Sequence, residues 1–310
     1  MAARKTSRIF WFQIGCFAIM MFLVLFLHSL WTSDLLLILL LVWMLVSGKK
    51  KKLYHDFAPF IVMMLAYGSL RIIAETLSRR VHVMTMIDFD RWLGGGVLPT
   101  VWLQDHLYHG QLHWYDYYFY LLYLAHFLFP VLLGVLIWIK RRGEYTRYIS
   151  ALVALTFLGF ITYIIYPAAP PWLAAEQGVI PPIQKLATDI WFSLGIHNFP
   201  AIYHNLNPNL VAAVPSLHAA YPVLFWLFVH RLFGWKYSVP FLIYPLSVWF
   251  GIVYMGEHYV FDALIGGVYA VAAYFLTMKY FDLYIEPTRS YWGRLKKRFV
   301  RKKSKGWLRT

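Results

Sequence analysis

Three side chains stand out for the chemistry they could do together: His218, His258 and Asp262. Each lies beside a long apolar run, where an ionisable group is costly and calls for a reason. His258 and Asp262 are four residues apart, so a helix through them places both on one face. A carboxylate there accepts a hydrogen bond from one imidazole nitrogen and leaves the other as a nucleophile or base. The same spacing also serves ordinary satisfied polar pairs. His218 follows Pro215-Ser216-Leu217. Proline suits a first helical turn, and free amides there point at whatever lies beyond the helix end. Ser216 and Leu217 are thereby placed to offer amides to an anion while His218 offers a proton. The plainer alternative is Ser216 as a helix cap followed by an interfacial histidine.

These residues need a scaffold, and composition names its class. The 310 residues are 60% hydrophobic and 14% charged, against about 25% charged in soluble domains. Apolar runs reach the ~20 residues that span a bilayer. The chain reads as an all-α, polytopic membrane helix bundle. Its net charge of +15 sits in short tracts flanking apolar runs, which marks membrane orientation rather than nucleic-acid binding. The single cysteine, Cys16, excludes an intrachain disulfide.

Eight helices are expected: 9–30, 34–46, 57–75, 117–139, 149–166, 217–233, 239–255 and 260–280. Residues 1–56 form an N-terminal transmembrane hairpin with a basic loop, 57–280 a six-helix catalytic core, and 281–310 a basic cytoplasmic tail suited to anionic lipid headgroups. With the N-terminus in the cytoplasm, all but five of the 29 Lys and Arg residues are cytoplasmic. The five are Arg71, Arg79, Arg80, Arg91 and Lys185. His218 and His258 then both begin helices entering from the outer or lumenal side. The outer loops hold no Asn-x-Ser/Thr sequon, which fits a bacterial inner membrane and leaves a Golgi-type membrane as the alternative.

Pro215-Ser216-Leu217-His218 and His258 with Asp262 resemble the second and third motifs of the type-2 phosphatidic acid phosphatase (PAP2) superfamily. Leu217, where phosphatases typically carry glycine, leans toward the inositolphosphotransferase branch, similar to inositol phosphorylceramide synthase. So do the aromatic-proline stretch Tyr166-Pro167-Ala168-Ala169-Pro170-Pro171-Trp172 and the loop from Asp90-Arg91-Trp92 to Gln104. The resemblance implies that His258, oriented by Asp262, attacks phosphorus to form a phosphohistidine. His218 then protonates the leaving group and deprotonates the acceptor. That chemistry requires no metal or other cofactor. The acceptor is a lipid or polyol alcohol in a transferase and water in a phosphatase.

Two departures bear on phosphate binding. Ile252 stands where the third motif usually has arginine, and no pair among Arg71–Arg91 has the spacing of the first motif. Developing phosphoryl charge still needs cations, and Arg91 and Arg71 are the expected ones, beside Ser216 and Leu217. His106, His109 and His113 fall at helical spacing and read either as a metal site or as the wet stripe of an interfacial helix beside Trp102, Tyr108 and Trp114. A transporter or scramblase is a rival from another class, but no repeated halves support it.

Overall fold

The computed structural model describes residue 56 and residues 81–126, 128–198 and 210–285. Helices expected at 9–30, 34–46 and 57–75, Arg71 and the basic tail lie outside the described residues. Eleven α-helices occur among the described residues: α1 (Met84–Leu93), α2 (Pro99–Leu107), α3 (Trp114–Ala125), α4 (Leu128–Lys140), α5 (Arg142–Ile165), α6 (Pro171–Glu176), α7 (Leu186–Ser193), α8 (Leu217–Phe233), α9 (Trp235–Ser238), α10 (Ile243–Tyr254) and α11 (Val260–Tyr280). A 3₁₀ turn (Val239–Leu242) leads into α10. No strand forms among the described residues.

Arg142–Ile165, Trp235–Tyr254 and Val260–Leu283 are long and apolar enough to cross a membrane, and α8 is a shorter apolar helix. Their shared interior is built from Leu152 and Leu155 of α5, Leu224 and Phe228 of α8, and Ala270 and Ala273 of α11. α8 and α11 have the boundaries expected from the sequence. Ser216 caps α8 by accepting the Ala219 amide at 3.2 Å, and Gly234 ends it at φ 81°.

The helix expected over 117–139 is instead two, α3 and α4, bent by 50°. Pro130 supplies the reason. It has no N–H to give residue 126, and its ring crowds that carbonyl. The freed carbonyl of His126 accepts the Tyr244 hydroxyl at 3.2 Å. The histidine stripe is also corrected: α2 ends at Leu107, so His106 is helical while His113 sits at the N-cap of α3, and the three share no helical face.

The helices run so that α8 and α11 start at one end, where α5 and α10 finish. At the other end Glu144 accepts from Arg231 at 2.8 Å and from Arg147 at 3.0 Å, tying α5 to α8. Arg147 also lies 3.7 Å from Asp282, beyond α11. Asp56 is held there by Trp138 at 2.9 Å and by Arg142.

Candidate active site

Four separate segments converge on the start of α11. Asp262 is its third residue and turns back over the helix end. Its Oδ2 accepts the Tyr259 amide at 2.9 Å and faces His258 Nδ1 at 3.2 Å. His258 therefore precedes the helix, and the pair meets through a capping turn rather than along a helical face. The His258 amide donates to the Ile252 carbonyl at 3.1 Å, which holds the loop against α10. Where a basic residue is usual in the third motif, Ile252 thus contributes its backbone and a fully buried side chain.

The second segment is the start of α8. The Ser216 amide donates to the Asp262 carbonyl at 3.1 Å, so this amide is committed to α11, and the expectation that it faces an anion is corrected. Gly266 makes the approach possible: a Cβ there would lie 2.3 Å from the Ser216 carbonyl oxygen. Leu217 is buried, with its side chain packed on Gly159 of α5. His218, half-buried, places Nδ1 3.1 Å from His258 Nε2. Because Asp262 and the chain of contacts accept only at defined atoms, the tautomers follow. His258 carries hydrogen on Nδ1 and a lone pair on Nε2, and His218 donates from Nδ1 toward that lone pair.

The third segment is the break between α3 and α4. Tyr123 stacks on His218 with ring centroids 4.4 Å apart, and the His126 ring lies 4.1 Å from it. His126 Nδ1 meets the Tyr123 carbonyl at 2.5 Å. A carbonyl only accepts, so this nitrogen carries the hydrogen. The sequence reading missed His126. Its signal was a histidine inside an apolar run four residues before a proline.

The fourth segment is α1. Asp90, fully buried, accepts the Val260 amide at 2.9 Å and the Phe261 amide at 3.0 Å. Two orphan amides of α11 are thereby satisfied by one carboxylate. Burial pushes the Asp90 carboxyl up to about 6, against the pull of those two amides. Asp90 stood in the first-loop motif by resemblance, but no role was read for it. Its neighbour Arg91 is half-buried on the same helix. Burial raises the Tyr259 phenol, with Arg91 partly opposing it, which sets Arg91 beside the histidine turn.

The aromatic-proline stretch is the frame around this turn. Ala168 pairs with His82 on one side and Ala212 on the other. Tyr166 stacks on His82 at 3.9 Å, and the Trp172 amide donates to the Gly256 carbonyl at 3.1 Å. Lys185, not singled out from the sequence, approaches the same turn with its ammonium 3.5 Å from the Trp172 ring centre. His106 stacks on Trp102 and His113 on Tyr115. Among the described residues, no group of three or more His, Cys, Asp or Glu side chains is placed to hold a metal ion.

The fold and site define an integral membrane helix bundle with Asp262, His258 and His218 in line at one end. Residues 84–276 match the model of the PAP2 superfamily, and the chain belongs to that superfamily. It is 29% identical over 227 residues to the phosphoinositol dihydroceramide synthase of Bacteroides thetaiotaomicron, covering 70% of this chain and 73% of the relative. It is 27% identical over 171 residues to the inositol phosphorylceramide synthase of Candida albicans, covering 51% of this chain and 34% of that one. The similarities lie with the inositolphosphotransferase branch. No solved structure matches the chain significantly.

Proposed function

We propose that this PAP2-superfamily lipid phosphotransferase moves a phosphoinositol headgroup from a glycerolipid donor to the hydroxyl of a ceramide-type acceptor, through a phosphohistidine on His258. The observation that carries this reading is the unbroken line from Asp262 through both nitrogens of His258 to His218, at 3.2 and 3.1 Å. Asp262 holds hydrogen on Nδ1, so the Nε2 lone pair attacks phosphorus. The P–O bond to the donor's lipid alcohol breaks, and cationic His218 gives that oxygen its proton. The acceptor hydroxyl then attacks phosphorus, the P–N bond breaks, and neutral His218 takes the acceptor's proton. Both histidines end as they began. For phosphorus to enter, the His218 ring moves off Nε2, since reacting atoms approach at about 3–3.5 Å.

The names of the two relatives support the choice of headgroup and acceptor. Arg91 and Lys185, which interact electrostatically with Tyr259 and Glu257 of the turn, are the cations assigned to phosphoryl charge in this reading, with Leu217 and His218 in the first turn of α8 beside them. Arg71 remains a candidate for the same task. The site faces the outer or lumenal side in this reading, in a bacterial inner membrane. Lys140, Arg142, Arg231 and Lys279 all lie at helix ends away from the histidines, in accord with that orientation.

The test uses purified full-length protein, phosphatidylinositol labelled in the headgroup phosphate, and ceramide. Label is expected in a ceramide product, with acid-labile, base-stable label trapped on wild-type protein but absent from His258→Asn. Release of inositol phosphate alone would make the protein a hydrolase. Transfer that persists in both His258→Asn and His218→Asn would overturn the mechanism.

A further inference from the structure

Glu257 directly precedes His258 and is 4% exposed. Its backbone is pinned, the amide donating to the Ile252 carbonyl at 3.0 Å. Its Oε1 nevertheless has no hydrogen-bond partner. Folding alone does not account for such an oxygen, because buried polar atoms are almost always paired and an unpaired one destabilises the fold. Among the other buried carboxylates near the site, both oxygens of Asp90 accept amides and both oxygens of Asp116 accept hydrogen bonds; Asp262 is held through Oδ2 and, like Glu257, leaves its second oxygen unpaired at the reacting end of the site.

The surroundings narrow the missing partner. Burial raises the Glu257 carboxyl, with Lys185 and then His258 pulling it back; burial lowers the Lys185 ammonium, with Glu257 pulling it up. Glu257 thus interacts electrostatically with both the proposed nucleophile and the half-buried Lys185, which itself packs on Trp172. Tyr120 of α3 lies within electrostatic reach on another side. Glu257 is the chain neighbour of His258, its Cα about 3.8 Å away, and the two side chains interact electrostatically, which brings a headgroup carried at His258 into the neighbourhood of this carboxylate. A carboxylate so placed accepts from hydroxyls. A quaternary or primary ammonium would also be drawn to it, but Lys185 repels a second cation and offsets the carboxylate charge. A neutral, hydroxyl-rich group fits this pair best.

We propose that Glu257 binds the hydroxyl groups of a polyol headgroup carried on the phosphoryl group at His258, with Lys185 excluding cationic headgroups from the same place. The inference rests on the reading of His258 as nucleophile, and it makes Glu257 a specificity-determining residue that leaves the bond-breaking steps to the histidines.

The experiment compares initial rates of full-length wild type, Glu257→Gln and Lys185→Met with three donors: phosphatidylinositol, phosphatidylcholine and phosphatidylmethanol. The last has a headgroup without hydroxyls. Glu257→Gln is expected to lower kcat/KM for phosphatidylinositol about 10- to 100-fold more than for phosphatidylmethanol, the loss that attends a hydrogen bond to a charged group. Lys185→Met is expected to raise the rate with phosphatidylcholine relative to phosphatidylinositol. Equal losses with all donors, or a loss confined to phosphatidylcholine, would overturn the proposal. A second measurement is independent of turnover. Calorimetric binding of myo-inositol 1-phosphate to His258→Asn is expected to weaken about tenfold or more when Glu257→Gln is added. Unchanged binding sinks the Glu257 assignment even if transfer is normal, whereas weakened binding with no transfer in wild type sinks the transferase reading alone.

Discussion

His218 Nδ1 and His258 Nε2 face each other at 3.1 Å, although forty residues separate them in the chain. In the proposed mechanism this contact divides the two roles. His258 has Nδ1 held by Asp262, which leaves Nε2 toward His218; His218 has its ring face against Tyr123 and its edge on His258 Nε2.

The division predicts a leaving-group test. A general acid contributes about 10²–10⁴-fold, and only where the leaving oxygen needs a proton. His218→Gln is expected to lose that much with a natural lipid donor. It should lose far less in forming phosphoenzyme from a p-nitrophenyl phosphodiester, whose phenolate leaves unprotonated. His258→Gln is expected to be inactive with both. Equal loss in the two variants on the activated donor would remove the proton-carrier role from His218.

Asp90 predicts a pH effect on stability. Its folded-state value of about 6 lies above its ordinary 3.8. A raised carboxyl contributes stability present below about pH 4 and lost as pH rises through about 6. Asp90→Asn keeps one acceptor, loses the second and does not titrate. At pH 4 the wild-type carboxyl is itself neutral and, like Asn, offers one carbonyl acceptor, so the two forms should be close in stability there. A gap in favour of Asp90→Asn should open as pH rises through about 6, read by thermal unfolding in detergent. A gap that is constant with pH would show that Asp90 does not titrate in this window.

Gly266 predicts a steric effect at the contact between α8 and α11. Gly266→Ala places a methyl against the Ser216 carbonyl, where 2.3 Å is available. Overpacking of this kind costs about 1–3 kcal/mol, and here it also separates Ser216 from Asp262. Gly143→Ala is the control, since nothing lies within 4 Å of its added carbon. Thermal unfolding and transfer rate should both fall in the first variant and hold in the second.

Leu217 predicts that acceptor choice does not reside in this one side chain. It is buried against Gly159, so Leu217→Ala leaves a cavity and costs about 2–5 kcal/mol. The ratio of transfer to hydrolysis, measured on the folded fraction, is expected to stay within about twofold while stability falls. A switch to hydrolysis would assign acceptor choice to Leu217.

Some of this was legible along the chain and some was not. The ends of α8 and α11 could be read because apolar runs, Pro215, Gly234 and the acidic first turn of α11 are local signals. His218, His258 and Asp262 could be singled out because ionisable groups are rare in such runs. The break at His126 was missed although Pro130 was in plain view, because a sliding count of apolar residues does not register one lost hydrogen bond. Asp90 was quoted without a role and Glu257 was passed over, since nothing about a lone carboxylate in the sequence tells which amides it will meet or whether it will meet any.

By itself the sequence determined the class of molecule, the helices that begin at the histidines, and which residue types were present to do chemistry. These follow from hydropathy, helical spacing and capping, all of which act over a few residues. Tertiary structure decided which groups met. Asp90 reached α11 across 170 residues, Lys185 came beside Glu257, and Ser216 gave its amide to Asp262 instead of to an anion. Such contacts depend on close packing between distant segments, down to the missing side chain of Gly266, and no local pattern encodes them.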